Sequence, residues 1–137
     1  MHRDPAADGP APGTVDVAVR PARTDVHVVA VVGDVDAASV GTVRAGVDEA
    51  VGAGARTVVL DLSGVALLAS AGMSLLLEVD ETLRSRECVL RLVTGTERSV
   101  RRPLTITGLD RVLTLHDDLP AALDAAAPDG PDPRGHG

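Results

Sequence analysis

The sequence predicts a single α/β domain, a mixed sheet of four or five strands covered by about four helices, and three features carry that prediction. The apolar pattern changes period along the chain, from strict alternation to a recurrence every three or four residues and back again. The alternating and continuous apolar runs are rich in β-branched valine, which suits a pleated, packed surface. The first two such runs are only a few residues apart, so they can pair antiparallel. Helical stretches separate the later ones and call for crossovers and parallel pairing. At 137 residues the chain holds one core and not two.

Taken in order, Val15, Val17 and Val19 alternate with Asp16, Ala18 and Arg20 and predict a half-buried strand. Val26 to Val32 is a longer β-branched run, ended by Gly33, and reads as a central strand. From Asp36 the period is helical, with Val40, Val43, Val47 and Val51 on one face. Asp36 or Ser39 is placed to cap its start, and Gly52 and Gly54 mark its end, while Gly41 and Gly46 weaken it. Thr57 to Leu62 gives a third strand closed by a Ser63-Gly64 turn, and Val65 to Leu68 is an apolar approach into Ala69-Ser70-Ala71-Gly72. The next helix is predicted from there to about Arg86, burying Met73, Leu76, Leu77 and Leu83. Cys88 to Val93 is a fourth strand. Thr96-Glu97 opens a short helix that Pro103 should distort or split, with Gly108 as its left-handed terminator. Arg111 to Leu115 is assigned to a last short strand and Leu119 to Ala126 to a terminal helix. Residues 1–13 and 127–137, rich in Pro, Gly, Asp and Ala, are expected to be disordered tails, leaving 14–126 as the domain.

Composition narrows the function. There is no Phe, Tyr or Trp, so Val, Leu, Ala and Ile fill the core, and the chain lacks the flat rings on which bases and sugars stack. Apart from histidine every basic residue is Arg, and Lys, Asn and Gln are absent, which reads as the codon bias of a GC-rich genome of actinobacterial type. A net charge of −7 argues against nucleic acid or an anionic membrane as the partner. Cys88 is alone, so the chain has no disulfide framework and no cysteine-based zinc site. No apolar stretch reaches the length of a membrane span and no signal-peptide pattern opens the chain, so a cytoplasmic location is expected.

Catalytic constellations fail early. There is no Gly-x-Ser-x-Gly elbow, no phosphate-binding loop and no paired histidine motif, and the carboxylates are scattered over turns and helix faces. The expectation is a binding protein without catalytic residues, metal or cofactor. The informative segment is Leu60 to Met73, which puts Ser70 at a strand-to-helix junction, at or beside the helix N-cap. From the residues alone the serine has two jobs open to it. It can accept a hydrogen bond from an amide of the first turn, for about 1 kcal/mol. It can instead carry a phosphate, which the first-turn amides and the positive end of the helix dipole stabilise, with Ala71 and Gly72 leaving room.

Gly33-Asp34-Val35-Asp36, Val58 to Val65, Ala69-Ser70-Ala71-Gly72-Met73 and Thr107-Gly108-Leu109-Asp110 stand in an order that resembles the STAS family, the domain of bacterial anti-sigma-factor antagonists, over roughly Val15 to Ala126. Gly33-Asp34-Val35-Asp36 is similar to that family's Gly-Glu-Leu-Asp step. Val58 to Val65 is similar to its central strand and turn, Ala69-Ser70-Ala71-Gly72-Met73 to its Asp-Ser-Ser/Thr-Gly-Leu loop, and Thr107-Gly108-Leu109-Asp110 to its late Thr-Gly-Leu segment. The resemblance implies a STAS-type fold and a partner switch. The unphosphorylated protein binds an anti-sigma factor with serine kinase activity, phosphorylation of the loop serine, here Ser70, releases it, and a serine phosphatase restores it. The implied contact surface comprises Gly33, Asp34, Asp36, Ala69, Ser70, Ala71, Gly72, Met73 and Ser74, on a monomer or weak dimer. The chain departs from the pattern at Ala69, where the family has aspartate, and at Ala71, which leaves one hydroxyl in the loop. The alternative within the same resemblance is a STAS module that is not phosphorylated, a structural subunit of a lipid-transport ATPase or of a signalling scaffold. A third reading is a sensor of nucleotide at the helix N-terminus.

Overall fold

In the computed structural model, which describes residues 14–96 and 98–126, five strands form one sheet in the order β1-β2-β3-β4-β5. They are β1 (Val15–Arg23), β2 (Val26–Val35), β3 (Thr57–Leu68), β4 (Val89–Val93) and β5 (Leu115–His116). β1 and β2 are antiparallel, joined through Thr24 and Asp25, the latter left-handed at φ 65°. The remaining neighbours are parallel. Helices α1 (Val40–Gly52), α2 (Ser70–Ser85) and α3 (Arg98–Ile106) make the three crossovers, and α4 (Leu119–Ala126) follows β5.

Sequential strand order has a consequence for the layers. Right-handed crossovers between successive neighbours in one direction all fall on the same side of a sheet. The larger core accordingly lies on one face, where Val29, Val31, Leu60, Leu62, Leu90 and Leu92 meet Val43 and Val47 of α1, Leu75, Leu76, Val79 and Leu83 of α2, and Val100 and Leu104 of α3. The other face keeps a smaller cluster, Val26, Val28, Val59 and Val93 under Ala122 of α4. The expected mixed sheet with covering helices is what the chain forms.

Several boundaries differ from expectation. β2 does not stop at Gly33, and β3 does not turn at Ser63-Gly64. Both strands run on in parallel until Val35 pairs with Leu68, with register shifts on the way. Asp61 Oδ1 accepts the Ser63 amide at 3.0 Å and the Ser63 hydroxyl at 2.7 Å, absorbing the irregularity inside the strand. A side chain at Gly64 would put its Cβ 2.9 Å from Val32 Cγ2. Leu77 is not buried; it is 37% exposed, and the α2 face toward the core is Gly72, Leu75, Leu76, Val79, Asp80 and Leu83. Arg111 to Leu115 is not a strand: Gly108, left-handed at φ 79°, leads into a 3₁₀ turn over Leu109–Arg111, and only Leu115 and His116 pair with β4. Pro103 does not split α3. The predicted tails, residues 1–13 and 127–137, lie outside the described residues, as does Glu97.

Gly46 shows why a helix-weakening residue is kept. A Cβ there would sit 2.6 Å from Val17 Cγ1 and 3.2 Å from Val29 Cγ1, so the bare backbone lets α1 lie close on β1 and β2. Gly41 has nothing within 4 Å of the same position. Alanine favours helix over glycine by about 1 kcal/mol. At Gly41 that preference is unopposed, and Gly41→Ala should stabilise by up to that amount. At Gly46 overpacking should outweigh it, for a net loss of about 1–3 kcal/mol in Gly46→Ala. Urea denaturation of both variants checks the opposite signs.

Beneath the smaller cluster, Arg91 of β4 lies 3.3 Å (Nη1 to Nε2) from His116 of β5. Burial holds the Arg91 pKa below its usual value. Burial first, and then the Arg91 charge, lower that of His116, with Asp118 acting in the opposite sense. The neutral ring accepts from the guanidinium at Nε2. The unfolded chain takes up this proton near the ordinary histidine value of 6.5 and the folded chain only at lower pH. This contribution to stability is therefore whole above pH 6.5 and is lost as the pH falls below it. Thermal unfolding between neutral and mildly acidic pH should show a steeper fall for the wild type than for His116→Gln; parallel curves would remove the linkage.

Candidate functional site

The carboxyl ends of β2 and β3 bring the two loops of interest together. Val35 pairs with Leu68, and the Ala69 amide donates to the Val35 carbonyl at 2.9 Å, so the residue before Ser70 is tied to the loop that begins at Gly33. Gly33 adopts a positive φ of 120°, which glycine accepts and other residues rarely do, and the Asp34 amide donates to the Thr14 carbonyl at 3.0 Å where β1 begins. Asp36 and Ser39 then lock the approach to α1. Asp36 Oδ1 accepts the amides of Ala38 and Ser39, at 3.0 and 3.1 Å. The Ser39 hydroxyl accepts the Asp36 amide at 3.0 Å and donates to the Asp34 carbonyl at 2.6 Å. Ser39 is the N-cap residue of α1 and almost wholly buried, but its hydroxyl turns back to Asp34 and Asp36 and makes no capping bond to the helix, while Asp36 holds the turn that precedes it. One Asp36 carboxylate oxygen is thus occupied within its own loop.

Ser70 is the first residue of α2, and the N-cap is Ala69, in extended conformation at φ −83°, ψ 172°, which has no side chain able to cap. The Ser70 side chain is exposed, and its hydroxyl makes no hydrogen bond among the described residues. The capping role that the sequence left open is therefore not the one this hydroxyl has. The amides of Ser70, Ala71 and Gly72 likewise find no acceptor among the described residues, as at any helix start, and leave partial positive charge around the serine.

Gly72 fixes the pose of this turn. A Cβ there would lie 2.8 Å from Val35 Cγ1, 3.1 Å from the Val35 carbonyl oxygen and 2.7 Å from Leu68 Cδ1. The first turn of α2 therefore rests directly on the strand that carries the other loop. Met73 is half-buried and Ser74 exposed on the outer side. The structure brings Gly33, Asp34, Asp36 and Ala69 to Ser74 to one end of the sheet, within two adjoining loops and one helical turn.

Next to Met73 lies a feature that the sequence reading missed. An open groove of ≈ 440 Å³ runs between the end of β3, the start of α2 and α3, lined in part by Leu67, Met73 and Ile106. Leu67 is 48% and Ile106 68% exposed. Strand alternation would put Leu67 on the same side as buried Val65, two residues earlier; the register shifts in β3 leave it exposed instead, so the sequence carried no signal for the groove.

Among the described residues, no three or more His, Cys, Asp or Glu side chains are grouped to hold a metal ion. No helix there is long and apolar enough to cross a membrane. Cys88 is half-buried, its thiol 3.5 Å from the Arg86 carbonyl and 3.7 Å from that of Ala55.

Against known proteins, the STAS domain model matches residues 18–122. No curated protein matches significantly. Among solved structures, an anti-sigma factor antagonist from Mycobacterium paratuberculosis is similar at 30% identity and a TM-score of 0.76, over 84% of this chain and 96% of that one. The unphosphorylated form of the anti-sigma factor antagonist SpoIIAA aligns at 18% identity and a TM-score of 0.68, over 81% of this chain and 96% of that one. The phosphorylated form of the Bacillus protein aligns at 18% and 0.64, over 82% and 100%. At these identities the two SpoIIAA forms speak to the fold.

Two substitutions test the site's construction. Gly72→Ala should destabilise the domain by about 1–3 kcal/mol, because the added methyl meets Val35 backbone as well as side chains. Ser70→Ala should change stability by no more than about 0.5 kcal/mol, as expected of an exposed side chain without a bond. A loss of about 1 kcal/mol in Ser70→Ala, measured by denaturant unfolding, would restore the capping role.

Proposed function

The chain belongs to the STAS domain family, and on that footing we propose that it is an anti-sigma factor antagonist switched by phosphorylation. It binds an anti-sigma factor with serine kinase activity through Gly33, Asp34, Asp36 and Ala69 to Ser74. Phosphorylation of Ser70 dissociates the pair, and a serine phosphatase resets it. The protein is the substrate of this chemistry, catalyses none of its own and acts in the cytoplasm, where sigma factors meet RNA polymerase. The observation that carries the reading is the exposed Ser70 hydroxyl, free of any hydrogen bond among the described residues, on a helix start anchored to the second loop.

The physical basis of release is desolvation. A phosphate at Ser70 adds about −2 charge and three strongly hydrated oxygens to a surface that must lose its water on binding. In the free protein the open first-turn amides and the helix dipole hold that anion. Ala69 adds no carboxylate beside it, so the modified state is free of the like-charge repulsion that an aspartate there would bring.

Titration of the purified chain against its anti-sigma factor tests this. Phosphorylated protein and Ser70→Asp should bind at least about a hundredfold more weakly than wild type, at about 1.4 kcal/mol per tenfold. Ser70→Ala should bind like the unmodified protein and persist in the presence of ATP, with circular dichroism confirming that all forms fold. Equal affinities of the three forms would dismiss the switch.

A further inference from the structure

The groove beside Ser70 carries a more specific statement about the partner, which rests on the function proposed above. Its wall and floor are apolar: Leu67, Met73, Pro103 and Ile106. The hydroxyl of Thr107, at the end of α3, lies 3.8 Å from Met73 Sδ, so α2 and α3 close the groove at one end. Its rim is cationic. Arg98 and Arg102 stand one helical turn apart on α3 and both line the groove. Neither side chain has an ion pair or hydrogen bond among the described residues, a state shared with Arg20, Arg56, Arg86 and Arg111, but of these six only Arg98 and Arg102 line the groove. Both guanidinium groups therefore stand free beside the exposed Leu67 and Ile106, a local cationic rim on a chain whose net charge is −7.

We propose that this groove docks an acidic amphipathic segment of the anti-sigma factor, which inserts apolar side chains over Leu67 and Ile106 and sets its carboxylates against Arg98 and Arg102. Charge complementarity selects the occupant. The cations exclude a basic segment, and the apolar floor distinguishes the site from a simple salt-bridge patch. A nucleic acid fits poorly, because the net charge is −7 and the chain offers no aromatic ring for stacking. Position supplies the purpose. Leu67 lies three residues before Ser70 and Met73 three after it, so a segment held in the groove tethers the kinase next to the hydroxyl that it modifies. The groove then acts on binding and on the delivery of Ser70 together.

The test uses the whole chain and the purified anti-sigma factor. Ile106→Glu alters a residue that is 68% exposed, and the double variant Arg98→Glu/Arg102→Glu reverses the rim. Val112→Glu, at an exposed apolar position beside β4's opening residues, is the control. Binding is followed by calorimetry at two salt concentrations, Ser70 phosphorylation by its kinetics, and folding by thermal melts. Ile106→Glu should weaken binding by about tenfold or more, as for a central apolar anchor. The rim reversal should weaken it by about fivefold or more and flatten its salt dependence. Both should raise KM for Ser70 phosphorylation with kcat unchanged, and Val112→Glu should stay within about twofold of wild type. If the groove variants bind like wild type while Ser70→Asp does not, the docking inference fails and the switch stands. If the rim reversal tightens binding, the assigned charge is wrong. If the chain dimerises and Ile106→Glu abolishes only the dimer, the occupant is a second copy. If neither Ser70→Asp nor any groove variant alters binding, both readings fall.

Discussion

The site depends on one continuation of backbone pairing. β4 reaches only as far as Val93, opposite Asp61, yet β3 extends seven residues further, held on its other side by β2 until Val35 meets Leu68. The bond from the Ala69 amide to the Val35 carbonyl completes that ladder at the point where α2 starts. Without the extension, Ser70 would follow a free loop, and the position of its hydroxyl relative to Gly33–Asp36 would be set only by chain length. With it, the two loops form one surface, and Gly72 packs so closely on Val35 that the helix start has little freedom to shift. Past the end of β4 the lone edge of β3 is supported by α3, whose Ser99 hydroxyl donates to the Val65 carbonyl at 2.8 Å. That arrangement also creates the groove.

The strand order explains where function is placed. Three crossovers in one direction put α1, α2 and α3 on one face and all their starting turns at one end of the sheet, outside the strand carboxyl ends where parallel sheets present their loops. A core of valine and leucine suffices to hold this frame, because the close approaches at Gly46 and Gly72 compensate for the missing volume of aromatic rings. The same two glycines are therefore packing residues, and neither needs an unusual backbone angle.

Much of this was legible in the sequence, and the exceptions have physical causes. Apolar pattern and terminal signals located all four helices and the starts of four strands, since α1 to α3 bury one face against the larger core and α4 buries one against the smaller. Ser63-Gly64 reads locally as a turn, but the Asp61 carboxylate satisfies Ser63 and Gly64 pairs with Val32 of the neighbouring strand, a tertiary effect that no dipeptide rule contains. Leu77 was misplaced because three consecutive leucines leave the helical phase undetermined until Gly72 fixes which side lies on Val35. Ser70 was located correctly at the junction, whereas its freedom from a capping bond is visible only once Ala69 is seen to be the cap. The groove was not legible at all. Leu67, Met73, Arg102 and Ile106 come from three elements, and their adjacency is a product of packing.

Gly33–Asp36 and Ala69–Ser74 lie at one end of the sheet, and the proposed function makes them one contact surface for an anti-sigma factor. Amide hydrogen exchange, with and without that partner, tests it most directly, because the footprint is read residue by residue and requires no substitution. Added protection is expected at Asp34 to Asp36 and at Ser70 to Ser74, extending along the exposed side of α2 and α3, and should be lost when Ser70 is phosphorylated. Protection confined to α4 and the opposite face of the sheet, or a footprint that phosphorylation leaves unchanged, would contradict it.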